Sequence, residues 1–222
     1  MKYFQKSFTQ FFIDLAPNNN KEWFDVNRKR YEIDVKKPFE IFISDLLDRA
    51  KEVDNAITIS HKEAIFRINK DVRFSKDKEP YKLNRSAIVS PIGTKDKSIP
   101  GLYLEITPEE VGIYGGLYMP DKHQLQRVRE EITTNLSQFE KLINDNDFVE
   151  TFGTIQGEKN VRLPKEFQEA AKQQPLIANK QFYYYTTLPV DIIYSENFLD
   201  IVMAHYTIAK PLCDFFMKPV KG

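Results

Sequence analysis

Apolar side chains in the first fifty positions recur every three to four residues. Phe8, Phe11, Phe12 and Leu15 share one helical face, and Pro17 followed by Asn18, Asn19 and Asn20 ends that helix and opens another. Asn19 with Glu22 three residues on reads as a capping box. Trp23, Phe24 and Tyr31 mark the buried side of a second helix that runs until Pro38 breaks or kinks it. Phe39, Phe42, Ile43, Leu46 and Leu47 carry a third.

After Asp54 the spacing shortens to alternation, with strand-like runs at Ala64 to Val72, Ser86 to Ile92, Leu102 to Ile106 and Val111 to Leu117. Thr107-Pro108-Glu109-Glu110 is a turn-forming tetrapeptide, so the last two runs are expected as an antiparallel hairpin. Ser75 to Pro80 is polar and contains a proline, and reads as a cation-rich loop. From Pro120 the helical period returns with Leu125, Val128, Ile132 and Leu136, then Phe139, Leu142 and Ile143, and Asp121 suits the start of that helix. Gly153 to Lys159 reads as a turn, and Pro164 opens a short polar helix. Gln181 to Thr187 is a further strand. A last helix, from about Glu196 to Met217, carries an apolar stripe interrupted near Pro211. Helices, then strands, then helices predict a single α+β domain over residues 1–222, its mostly antiparallel sheet coming from the middle of the chain and packed by N- and C-terminal helices.

Composition adds bounds. With 222 residues, 41% hydrophobic, the chain can bury one large core, and 32 basic against 32 acidic residues leave no net field to hold it on nucleic acid or an anionic membrane. The lone Cys213 excludes an internal disulfide and a Cys-rich metal site, and it is expected to be inert packing in a reducing compartment. No apolar run approaches the roughly 18 residues of a membrane helix. Lys6 and Asp14 interrupt what would be a signal peptide, so a cytoplasmic location is expected. His61, His123 and His205 are scattered, and phosphate-loop, dinucleotide-binding and serine-hydrolase motifs are lacking; neither a metal nor a cofactor is expected.

Against that neutral background, Phe66 to Lys82 concentrates Arg67, Lys70, Arg73, Lys76, Lys78 and Lys82 with only Asp71, Asp77 and Glu79. At period two, Phe66, Ile68, Val72 and Phe74 fall on one face and Arg67, Asn69, Asp71 and Arg73 on the other. One reading is a buried ion-pair network in which Asp71 is clamped by Arg67 and Arg73. A second is a ligand site built from Arg67, Asp71, Arg73, Lys78, Tyr81, Lys82 and Arg85, because guanidinium groups bind carboxylate or phosphate through paired donors. Its partner would be an anionic small molecule; the catalytic residues, if the site belongs to an enzyme, are not marked. A third is a nucleic-acid or protein surface using the same loop with Tyr81. Gly115 and Gly116 invite close approach by a ligand or mark a bulge, and Tyr114, Tyr118 and Trp23 are cleft candidates or packed core.

Asn20-Lys21-Glu22-Trp23-Phe24, then Arg67 with Asp71, Arg73-Phe74, Asp77-Lys78 and Tyr81-Lys82, then Gly115-Gly116-Leu117 before Pro120 resemble the bacterial and fungal family known as domain of unknown function 2461. The resemblance covers most of the chain and implies no activity, substrate or cofactor. Lys70 stands where that pattern has arginine and Tyr118 where it has tryptophan, which would alter a site needing a bidentate fork or an indole there.

Overall fold

The computed structural model describes the backbone of residues 1–221 and the side chains of residues 1–220. Helix α1 (Lys6–Leu15) buries Phe8, Phe11, Phe12 and Leu15, as its spacing predicts. Helix α2 (Lys21–Val26) is capped by Asn20, whose side chain accepts the Trp23 N–H at 2.9 Å, and not by Asn19. The Asn19 amide is engaged elsewhere: it donates to the Tyr81 carbonyl (2.9 Å) and accepts the Tyr81 N–H (3.1 Å).

Pro38 does not break the next helix. Helix α3 (Arg28–Arg30) passes into a wide π-helical stretch, Tyr31–Lys36, and on into α4 (Lys37–Val53), with Pro38 in the first turn of α4. A proline ring inside a regular helix collides with the carbonyl four residues back and supplies no N–H. The widened turn just before it, closed by Lys37 N–H to the Glu32 carbonyl five residues back, relieves that conflict.

The run from Ala64 to Val72, expected as a strand, is not a regular one. A capping box between Ser60 and Glu63 nucleates the short helix α5 (His61–Ala64), which takes the first residue of the run. Beyond it only two isolated antiparallel bridges form, Ile65 with Ala87 and Asn69 with Tyr81. Ile68 is buried, but Phe74 is 96% exposed, so the apolar face stops short of the loop.

The sheet is four-stranded and antiparallel, in the order β1 (Arg85–Val89), β2 (Leu102–Ile106), β3 (Glu110–Leu117) and β4 (Phe182–Pro189). The β2–β3 hairpin closes through Thr107 N–H to the Glu110 carbonyl at 3.0 Å. Between β3 and β4 lie α6 (Lys122–Thr134), capped by Asp121, α7 (Leu136–Ile143), α8 (Asn146–Phe152) and α9 (Lys165–Gln173). Helix α10 (Phe198–Lys221) closes the chain and contains Pro211. The fold is α+β, with helices from both ends of the chain around a mid-chain sheet.

Contacts gather the chain into two compact units. The first comprises Met1–Thr94, Tyr103–Ile113 and Thr187–Met203, and the second Lys95–Leu102, Tyr114–Thr186 and the chain from Ala204. The first is cored by aromatic rings, among them Phe42 stacked on Phe198 at 4.9 Å and Phe24 against Tyr31 at 5.1 Å. In the second, Phe182, Tyr184, Phe139, Phe215 and Phe216 are buried together. Here Gly115 and Gly116 find their reason. A Cβ on Gly115 would stand 2.4 Å from the Tyr184 ring, and one on Gly116, whose φ is +93°, would stand 2.1 Å from the Phe182 carbonyl oxygen. The close approach is made by the protein's own tyrosine.

Candidate functional site

The first unit contains a cavity of about 390 Å³. Its walls follow from the two irregularities above. The π-helical stretch and α4 present Tyr31, Glu32, Lys36 and Glu40, while Phe24 and Arg28 come from the helices before it. The opposite wall is the loosely bridged run after α5, with Phe66, Arg67, Ile68 and Asn69, joined by Tyr81 and by Arg85 at the start of β1. Extended backbone tied only by isolated bridges leaves room that a continuous ladder would have filled.

Five cations and two carboxylates line this space. Lys36 is matched by Glu32 at 2.9 Å, and Arg28 pairs with Asp25. Lys62 and Arg67 are exposed at the mouth. Arg85 is different: it is only 4% exposed, and among the described residues it pairs with no carboxylate. Its one hydrogen bond runs from Nη1 to the Phe66 carbonyl at 3.0 Å, its guanidinium carbon lies 5.2 Å from the Phe39 ring centre, and its buried Nε has no protein partner. Burial lowers its pKa from the usual range, offset in part by the negative charge of Glu40, and an arginine remains charged regardless. Tyr81 stacks on Phe24 at 4.0 Å and 16°, giving the cavity an aromatic side. Burial pushes the Tyr31 and Tyr81 phenols up, so both stay neutral at physiological pH.

Of the residues singled out in the sequence, Arg67, Tyr81 and Arg85 line the cavity. The others stand apart from the lining. Arg73 forks onto Asp71 at 2.9 and 2.7 Å in an exposed pair, which holds the Asp71 carboxyl below its usual range. Lys78 donates to the Val72 carbonyl at 3.0 Å, and the Lys82 ammonium sits 5.5 Å from the Phe66 ring centre. The expected clamp of Asp71 by two buried arginines is therefore an open pair with one. Loop fastening falls to Lys70, whose ammonium bridges Asp77 (2.8 Å) and Glu79 (3.1 Å), and to Asn19. Tyr31 and Glu40 carry no signal in the sequence because each sits in a helix whose period explains it as ordinary core or surface, and Lys62 because it falls in a stretch between Asp54 and Ala64 with no clear period; Pro38 next to a charged helical run is the one signal of irregularity in the helices.

Elsewhere, burial raises the Cys213 pKa, and its Sγ lies 3.3 Å from the Tyr184 hydroxyl, an environment of inert packing. Tyr114 stacks on Tyr185 at 5.4 Å, Tyr118 meets Tyr183 edge-on at 5.7 Å, and Trp23 packs against Phe11 at 5.7 Å; none of the three lines the cavity. Among the described residues no group of three or more His, Cys, Asp or Glu side chains is placed to hold a metal ion, and no helix is long and apolar enough to cross a membrane.

Fold and site together define an α+β protein with a basic, aromatic-walled cavity in its first unit, lined in part by Arg85 of β1. A family model described as conserved hypothetical protein (DUF2461) matches residues 7–215 of the 222, and the chain belongs to that family. No curated protein matches it.

Proposed function

We propose that the cavity binds a small molecule carrying a carboxylate or phosphate group. The observation that supports this is Arg85. A buried cation without a carboxylate costs stability, and such groups persist where they meet a ligand. Its Nε has no protein partner, and its only hydrogen bond uses Nη1. The Nε–Nη2 edge, the side of the guanidinium that takes two oxygens of one anion, is left for a ligand. A volume of about 390 Å³ suits a metabolite. A thermal-shift screen of small carboxylates and phosphates should find ligands that raise Tm in the wild type and not in Arg85→Gln. If no anion moves Tm, or the variant responds equally, the reading fails.

One observation favours a second reading, in which the loop after Asn69 takes single-stranded nucleic acid: Phe74 is 96% exposed with the Arg73 guanidinium 5.8 Å from its ring centre. Retention on single-stranded RNA at low salt, abolished by Phe74→Ala and falling steeply as salt rises, would move the assignment to that loop.

A further inference from the structure

Resting on the anion-binding reading above, we infer that the cavity selects a planar aromatic monocarboxylate, its carboxylate on the Nε–Nη2 edge of Arg85 and its ring along Phe24, Phe66 and Tyr81. Three features of the site decide the ligand class. The first is charge. The only buried cation in the lining is Arg85, and Glu40 lies within electrostatic range of it. Lys36 is already matched by Glu32, and Arg28 by Asp25. One guanidinium neutralises one negative charge; the second charge of a phosphate monoester would meet the Glu40 carboxylate, with no further unmatched cation but Lys62 and Arg67, both exposed at the mouth and screened by water. The second is shape. A carboxylate is planar and matches the fork of a guanidinium with two parallel N–H···O bonds. The third is the wall. Phe24 and Tyr81 are held parallel by their mutual stack, and Phe66 is fixed by the edge of Tyr103 at 5.6 Å, so the apolar part of the ligand meets rigid aromatic surfaces. Rigid rings favour a flat ring over a flexible chain, because little side-chain freedom is lost on contact.

The test uses calorimetry on the full chain with four probes: benzoate, phenyl phosphate, hexanoate and inorganic phosphate. Benzoate is expected to bind at least about tenfold tighter than each of the other three, and Arg85→Gln to abolish its binding. Glu40→Gln supplies a readout that a folding defect would not imitate: it should bring phenyl phosphate closer to benzoate in affinity by several-fold while benzoate binding persists. Tighter binding of phenyl phosphate or inorganic phosphate than of benzoate overturns the monocarboxylate assignment and leaves the anion site standing. Equal binding of hexanoate overturns the aromatic part alone. If no probe binds the wild type and the anion screen is also silent, both readings fall.

Discussion

Arg85 and Asp71 carry opposite lessons about charge at the level of single residues. Arg85 is buried and meets no carboxylate among the described residues, so its presence is not explained by stability. Replacing it by methionine, of similar length and apolar, is expected to leave the urea midpoint no lower than that of the wild type, since a buried charge that meets no carboxylate is removed and Phe66, whose carbonyl loses its donor, lines the open cavity. The same variant should lose every anion-induced rise in Tm. Asp71, by contrast, is joined to Arg73 in the open, where water solvates both groups. Asp71→Ala is therefore expected to leave the urea midpoint within error of the wild type; a large drop would show that the pair is structural after all. Local charge crowding made both residues visible in the sequence, but it could not separate them. Burial depends on where the chain turns after Asn69, and that turn is set by Asn19, roughly sixty positions away in the sequence.

At the level of elements, α1, α4, α6, α10 and the β2–β3 hairpin were legible because each has a clean period or turn signal. The run from Ala64 to Val72 was not, because a four-residue capping box outweighed alternation at its start and Pro80 removed a ladder donor from its partner. What holds that run is a strap of side chains. Asn19 pairs with both backbone groups of Tyr81 as a neighbouring strand would, and Lys70 draws in Asp77 and Glu79. A single ammonium serves two carboxylates here. Asn19→Ala is expected to cost about 1–3 kcal/mol in chemical unfolding, and to speed tryptic cleavage at Arg73, Lys76 and Lys78. In β3, Gly115→Ala would force a methyl against the Tyr184 ring, with an expected loss of about 1–3 kcal/mol from overpacking. Tyr184→Leu in the same background should recover part of that loss if the ring is the obstacle.

For the whole molecule, acid–base behaviour is dominated by its phenols at the alkaline end. Tyr3 is pushed up to about 12 from 10.0, first by burial and then by its hydrogen bond to Asp45, and burial raises Tyr31, Tyr81 and Tyr184 as well. A phenol with a raised folded pKa contributes stability that is complete below its unfolded value near 10 and is lost as pH climbs through the folded value. Stability measured in guanidinium should thus fall between pH 10 and 12, and Tyr3→Phe should fall less steeply over the same window. The neutral total charge gave the sequence reading its contrast, since an excess of cations in one stretch stands out only when the rest balances. The cavity itself was half visible. Its rim at Arg67 and Tyr81 belongs to the charged stretch and Arg85 follows just after it, but its far wall depends on the π-helical turn at Tyr31–Lys36, which no hydrophobic period announces. That turn amounts to one residue of surplus wound into an otherwise regular helix. The wider winding absorbs that residue, so removing one, for instance the exposed Ile33, would close the wide turn and re-aim Tyr31, Glu32 and Lys36, which line the cavity from it, while the helix on either side kept its facing. A chain shortened at Ile33 is expected to keep its helical circular-dichroism signal yet answer no anion, and the cavity would then be the product of a single inserted codon.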